Sequence, residues 1–175
     1  MLSRSIKQTD DGKAVIVDKE LSAFFGSLSK ESDRGIVVIV GTVVEERLAR
    51  LLREVLIQRE ESESFISRNL GGLEARAKAA YCIGVISRTE YELIQFLRRV
   101  RNDFAHKFIT ERFDGSLEAK KSEVYNALAL FIPGYDSIKF DSTRQVFEAL
   151  SVHIITAIWD REHEFGDSDY IYERE

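Results

Sequence analysis

The sequence predicts an all-α protein, a single-domain helical bundle of about five to seven helices. One proline and ten glycines among 175 residues leave few of the turn residues that a protein of many short strands needs. Apolar residues recur at i, i+3 and i+4 in several long segments, which is the spacing of one helix face. A content of 44% apolar residues, with 10% aromatic, is enough to fill one core. These observations together favour one globular helical unit.

The first segment, residues 1–17, is predicted to be an N-terminal arm. It is polar apart from Ala14 to Val17, so the residues leave a loose arm and a short strand equally open. From residue 18 a helical domain is expected to run to residue 163. Asp18 is a suitable N-cap for its first helix, in which four apolar residues have helical spacing. They are Leu21, Phe24, Phe25 and Leu28.

The run from Ile36 to Val44 is ambiguous, because β-branched residues around a central Gly41 suit a strand as well as a helix. The residues directly after it are less ambiguous, since leucine and valine recur there with helical spacing between charged positions. No turn residue separates the two halves. The economical interpretation is one long helix, with Ser32 or Asp33 as its cap.

The remaining elements follow from caps and spacing. Residues 59–72 are predicted to be a polar link, and a helix is expected from Leu73 to about Val85. Ser87 and Glu90 have the spacing of a capping box and open the next helix. Further helices are predicted from Leu117 to Phe131 and from Thr143 to about His163. The segment 164–175 is predicted to be an acidic, solvated tail.

The stretch FLRRVRNDFAHKF, residues 96–108, combines an apolar stripe with a polar face. At about 100° per residue, five apolar side chains gather on one side of the helix. They are Leu93, Phe96, Leu97, Val100 and Phe104. Asn102 and His106 share the opposite face, and Arg101 lies at the edge of the stripe. Such a set could support metal-independent RNA cleavage, with histidine moving a proton and arginine stabilising the phosphorane. Alternatively, Arg101 pairs with an acidic residue of a neighbouring helix.

Composition excludes several other classes of function. A net charge of −5 gives no global positive field that would attract nucleic acid. The single cysteine, Cys82, is expected to be a buried apolar residue. The three histidines have no metal-ligand spacing, and no glycine-rich loop could hold a phosphate, so no metal and no cofactor are expected. Without a signal-like or membrane-spanning run, the cytoplasm is the expected location.

Three segments resemble the mannitol repressor family. The first is LSKESDRGIVVIVGTVVEERLARLLREVL, with Glu45, Glu46, Arg47 and Leu48 as its acidic-acidic-R-L step. The second is NLGGLEARAKAAYCIGVISRTEYELIQFLRRVRNDFAH, and a weaker third is STRQVFEALSVHI. The resemblance covers roughly Leu21 to Ile158. It implies an all-α fold, and therefore a helix at Ile36 to Val44. It also implies a negative regulator of sugar-alcohol uptake genes that lacks a recognisable DNA-binding motif.

The second segment also resembles the short R-x4-H motif of the HEPN superfamily of helical RNases and nucleotide-binding modules. Arg101 and His106 match the motif, and the polar Asn102 directly follows the arginine. This resemblance implies a metal-independent endoribonuclease, with Arg101 and His106 catalytic in a cleft between two copies of the helix.

The sequence therefore supports three hypotheses about function. The first, which we favour, is a regulator without enzymatic activity that acts through protein partners, while an atypical nucleic-acid contact and a homodimer stay open. The second is the RNase. In the third hypothesis, the polar residues form a network that fixes the positions of the helices and takes part in no reaction. The candidate functional or structural residues are Glu31, Asp33, Arg34, Glu46, Arg47, Arg76, Arg101, Asn102 and His106.

Overall fold

The computed structural model describes residues 4–8, 14–56, 60–106 and 140–166. Within these ranges the predicted all-α bundle is confirmed, with six helices. They are α1 (Lys19–Leu28), α2 (Asp33–Val55), α3 (Glu60–Asn69), α4 (Leu73–Cys82), α5 (Arg88–His106) and α6 (Thr143–Gly166). The helix predicted from Leu117 to Phe131 and most of the acidic tail lie outside the described residues.

A small hairpin precedes the bundle. Strand β1 (Arg4–Gln8) pairs antiparallel with strand β2 (Ala14–Asp18), in a register that places Arg4 opposite Asp18. The segment predicted as an arm therefore contains the short strand that the residues left open. Helix α1 follows β2 directly.

Helix α2 is the central element of the bundle. Its first turn is capped by Ser32, whose hydroxyl accepts the N–H of Gly35 at 3.0 Å. The ambiguous run is helical. Ile36, Val40 and Val44 are fully buried at a spacing of four residues, so the run continues the same apolar face as the leucines after it. Helix propensity disfavours β-branched residues by only tenths of a kcal/mol each, whereas burying each side chain contributes about 1.5–3 kcal/mol.

Ion pairs show how the helices are oriented. Asp33 near the start of α2 pairs with Arg144 near the start of α6, and Arg47 pairs with Glu162 further along both helices, so α2 and α6 run parallel. Helices α4 and α5 form an antiparallel hairpin, because Glu74 pairs with Arg98 at one end and the rings of Tyr81 and Tyr91 stack at the other.

The core stripe predicted on α5 is confirmed. All five of its apolar residues are 4% exposed or less, and Ile94 beside them is fully buried. The predicted capping box is also present. The N–H of Ser87 donates to the Glu90 carboxylate at 2.6 Å, and the N–H of Glu90 donates to the Ser87 hydroxyl at 3.2 Å.

Several sequence-based expectations were wrong. The polar link 59–72 contains helix α3, anchored by the buried Ile66. Helix α4 ends at Cys82, earlier than expected, because Gly84 adopts a φ of 79° that closes the turn. Cys82 is exposed, not buried. The buried residues of α4 include Ala77 and Ala80, and a residue two positions after Ala80 is rotated by about 200° from it.

No helix among the described residues is both long enough and apolar enough to cross a bilayer.

Candidate functional site

Glu45, Arg76 and Arg101 form a compact group, the Glu45 cluster, where α4 and α5 meet α2. The guanidinium of Arg101 donates to the Glu45 carboxylate at 3.1 Å. Arg76 donates to the backbone carbonyl of Glu45 at 3.1 Å and approaches its carboxylate at 3.7 Å. It also donates from Nε to the carbonyl of Leu70 at 2.8 Å. Two half-buried arginines therefore share one carboxylate and tie two helices to α2.

Gly41 makes this arrangement possible. It is buried, and a Cβ at this position would lie 2.7 Å from Cδ of Arg101. Because that distance is well below van der Waals contact, any side chain at position 41 would displace the arginine. The absence of a side chain lets Arg101 cross the surface of α2 toward Glu45, one helical turn further on.

Asp33 and Arg144 hold the first turns of α2 and α6 together. One guanidinium nitrogen of Arg144 donates to Asp33 at 2.9 Å, and another donates to the carbonyls of Leu28 and Ser29 at 3.3 Å. The hydrogen bond from Arg144 to Glu148, followed by the one to Asp33, raises the pKa of the guanidinium despite its partial burial. This arginine thus also binds the end of α1.

Arg47 joins α2 and α6 further along, by an ion pair and by stacking. It donates to both carboxylate oxygens of Glu162, at 3.1 and 3.2 Å, and its guanidinium lies 3.6 Å from the centre of the Trp159 ring. The His163 ring stacks on Trp159 with centroids 5.1 Å apart, and its Nδ1 lies 2.8 Å from the Trp159 carbonyl. That distance fits donation by an Nδ1–H group.

Glu90 connects α5 to α6. It is 5% exposed and accepts a short hydrogen bond from Arg161 in addition to its bonds to Ser87. Burial alone would raise the pKa of this carboxyl, but the hydrogen bonds from Arg161 and Ser87 outweigh it and lower the pKa. On α6, burial lowers the pKa of His153, and the nearby Glu90 charge offsets this only in part.

The structure describes the side chains of eight of the nine predicted residues, and the ion pairs that they form lie at separate places around α2. Asp33, Arg47 and Arg101 pair with Arg144, Glu162 and Glu45 respectively, none of which was on the predicted list. The prediction chose Glu46, which is exposed and pairs within α2 with Arg50 at 3.2 Å.

The other predicted residues are placed as follows. Glu31 and Asn102 are exposed and Arg34 is half-buried, whereas the side chain of His106 lies outside the described part.

The missed Glu45 had a signal in the sequence. It directly follows Val44 of the buried stripe, so it occupies an edge position on α2 like that of Arg101 on α5. Residues at the edges of an apolar face are the ones that can reach a neighbouring helix while still touching solvent.

The chemistry available at the R-x4-H stretch follows from this geometry. Arg101 is 34% exposed, and its guanidinium is already engaged by Glu45. A carboxylate partner neutralises the charge that would stabilise a phosphorane.

In the described part of the chain, no group of three or more histidine, cysteine, aspartate or glutamate side chains could hold a metal ion.

Comparison with known proteins adds one likeness. No family model matches this chain, and no curated protein matches it. Among solved structures, it is similar to a chain of the MtlR–HPr complex from Escherichia coli, with a TM-score of 0.48 and 17% identity over 78% of this chain and 98% of that one.

Proposed function

We propose that this protein is a regulator that represses uptake genes for mannitol or a related sugar alcohol, and that it acts through a protein partner and has no enzymatic activity. The proposal starts from the two long sequence blocks that resemble the mannitol repressor family. Those blocks form α2, α4 and α5, and they contribute all three residues of the Glu45 cluster. The residues behind the resemblance therefore include those that tie α4 and α5 to α2.

The choice of a protein partner rests on one observation, the pairing of the arginines with carboxylates. In the described ranges, nine arginines form ion pairs with carboxylates. They are Arg47, Arg50, Arg53, Arg76, Arg88, Arg98, Arg101, Arg144 and Arg161. Binding to a phosphate backbone relies on cations whose charge is not already neutralised. Paired arginines on a chain of net charge −5 favour a protein partner over DNA.

The shape of the α4–α5 pair supports the same choice. In a helix-turn-helix motif, two helices cross steeply, at about 90–120°, so that the second can enter the major groove. Helices α4 and α5 instead lie side by side along their length, from the Glu74–Arg98 pair to the stacked tyrosines. Arg98 of α5 is thus half-buried beside α4.

The alternative is the HEPN-like metal-independent endoribonuclease. It requires Arg101 to leave Glu45 and to act with His106, and the exposed Asn102 is in a position to contact a substrate. The Glu45–Arg101 pair favours the regulator over this alternative, because the arginine already has an anionic partner.

A gene disruption tests the proposal. In the organism that carries the gene, its loss is expected to raise the transcripts of polyol uptake genes severalfold in the absence of the polyol. The transcripts should return to their basal level when the gene is restored. Unchanged transcripts with and without mannitol would overturn the proposal.

Two assays on the purified protein separate the mechanisms. In a mobility-shift assay on the upstream region of a polyol operon, we expect no shift even at low salt, where any phosphate contact is strongest. Incubation with single-stranded RNA in the presence of a chelator should leave the RNA intact. Cleavage that is lost in Arg101→Ala and His106→Ala would instead establish the RNase.

A further inference from the structure

Helix α3 is attached to the bundle less firmly than α4, although both are ten residues long. Helix α4 packs against α2 and α5, whereas α3 packs mainly against α2 among the described elements. The buried residues of α4 are Leu73, Ala77 and Ala80. On α3 only Ile66 is buried. Few buried apolar contacts are typical of segments that open while the rest of a protein stays folded.

The sequence of α3 cannot keep it helical by itself. Its ten residues, EESESFISRN, are charged or polar at every position except Phe65 and Ile66. Phe65 is 47% exposed, so its ring contributes little to packing. A helix shorter than about 12–15 residues is marginal in water without tertiary contacts. Helix α3 should therefore unfold whenever it detaches from its neighbours.

Polar contacts hold both ends of this segment. Near its start, Glu63 accepts two hydrogen bonds from Arg53 of α2, at 2.9 and 3.1 Å. Both side chains are more than a third exposed, and exposed ion pairs stabilise a structure only weakly. One residue after the helix, the carbonyl of Leu70 accepts a hydrogen bond from Nε of Arg76 at 2.8 Å. The contact with α2 is thus the weaker of the two.

The junction between α3 and α4 lets the two helices move separately. Gly71 and Gly72 follow the buried Leu70, and a Cβ at either glycine would meet no neighbouring atom within 4 Å. Because nothing packs against these two positions, α3 can leave its place without carrying α4 with it.

We propose that α3 is a cover that opens by local unfolding while the other helices stay folded. Ile66 belongs to the same core as Leu52 of α2, and Val55 at the end of α2 packs against that core. When α3 detaches, Ile66 leaves the core, and the apolar side chains that it contacted meet solvent. The open protein thereby presents an apolar surface that the closed protein hides.

Amide hydrogen exchange of the full chain, followed residue by residue with NMR, measures this opening. Amides in the last turns of α3 should be protected at least about tenfold less than the corresponding amides of α4. The first turn is left out of the comparison, because its N–H groups have no acceptor within the helix. Urea below the unfolding transition should hardly change the protection of α3, since a local opening exposes little surface.

Arg53→Ala removes the contact with α2 without changing the sequence of α3. Exchange of the α3 amides should become severalfold faster, while exchange in α4 and α5 should stay the same. Arg50→Ala is the matched control, because Arg50 lies one turn earlier on α2 and pairs within that helix with Glu46. It should leave the exchange of α3 unchanged.

Ile66→Ser removes the buried side chain that anchors α3. The α3 amides should lose their protection, while those of α4 and α5 keep theirs. The fluorescence of the apolar dye anilinonaphthalene sulfonate should rise severalfold, because the surface under α3 is then open. Phe65→Ser, at the neighbouring exposed position, should change neither the protection nor the dye signal.

Four results would overturn the proposal. They are equal protection of α3 and α4, equal effects of the two arginine changes, loss of protection throughout the bundle in Ile66→Ser, and no rise of the dye signal in that variant. The third result would show that α3 unfolds only together with the other helices. None of these measurements involves gene expression, so their outcome does not depend on the proposed function.

Discussion

The two flanks of α2 are joined to their neighbours in different ways. Toward α6, each ion pair between the helices has its own carboxylate on one side and its own arginine on the other, Asp33 with Arg144 and Arg47 with Glu162. Toward α4 and α5, a single carboxylate, Glu45, serves both Arg76 and Arg101. On the first flank, removing one carboxylate breaks one ion pair between helices, whereas on the second the ion pairs of both arginines depend on Glu45.

This difference has a physical consequence for stability. Half-buried charges cost free energy when they lose their partner, and the cost rises with the number of charges left uncompensated. The Glu45 cluster should therefore be the most sensitive polar position among the described residues.

Glu45→Ala is expected to have the largest effect, a loss of about 2–3 kcal/mol in the free energy of unfolding, because it leaves two half-buried arginines without their carboxylate. Urea denaturation followed by circular dichroism measures the loss. Glu46→Ala, one position along the same helix but exposed, is the matched control and should change the free energy by under about 0.5 kcal/mol. Equal effects of the two changes would contradict the shared-carboxylate interpretation.

Glu90→Gln should cost about 1–2 kcal/mol at neutral pH, because the buried carboxylate loses its charge-assisted bond to Arg161 while the capping box can persist with glutamine. The pKa of Glu90 is lowered in the folded protein, so its stabilisation is present above the unfolded carboxyl pKa and is lost as pH falls through the folded pKa. The difference between the two proteins should therefore shrink in acid. Denaturation curves at about pH 7 and about pH 3.5 test this, and a constant difference would contradict it.

Arg47→Met should cost about 1 kcal/mol, less than Glu45→Ala, because methionine keeps the apolar contact with Trp159 and removes only one ion pair. Trp159 is the only tryptophan in the chain, so its fluorescence should change when the guanidinium leaves the ring. Arg50→Met is the control on the exposed side of α2 and should leave the fluorescence unchanged. If Arg47→Met lowered the free energy of unfolding by more than Glu45→Ala does, the flank toward α6 would be the more sensitive of the two, which would contradict the comparison.

Gly41→Ala tests whether Arg101 needs the space beside Gly41 to reach Glu45 across the surface of α2. Alanine favours a helix by about 1 kcal/mol over glycine, but here its Cβ displaces Arg101 from Glu45, so the two effects should roughly cancel. In an Arg101→Ala background the clash is gone, and the same change should stabilise the protein by about 1 kcal/mol. A double-mutant cycle measures this difference, and purely additive effects would rule out the contact.

Acidification through the histidine range should have the smallest effect. Burial lowers the pKa of His153 in the folded protein, so stability is full above the unfolded pKa and declines as pH falls, because the unfolded chain binds the proton more readily. His153→Gln should therefore flatten the dependence of the free energy of unfolding on pH between about pH 7.5 and about pH 5.5. An unchanged slope would show that other groups cause the dependence.

The sequence by itself determined the local structure of this protein. The second half of α2, the buried stripe of α5 and the Ser87–Glu90 capping box followed from spacing and caps, because these signals act over a few residues. Ser32 was one of two candidate caps, and the run from Ile36 to Val44 stayed ambiguous until it was placed in one long helix with the residues after it. Where local signals were weak, prediction failed. Helix α3 has one buried side chain, Ile66, and its acidic surface resembles a link.

Only the tertiary structure decided which charges meet. The partners of Arg101, Arg144 and Arg47 are 56, 111 and 115 residues away in the chain. The sequence placed Arg101 at the edge of its helix, but the choice of Glu45 over Glu46 depends on how α2 is rotated and how far it is shifted against α5. Rotation and shift are set by the packing of the whole core, and no periodicity within one helix encodes them.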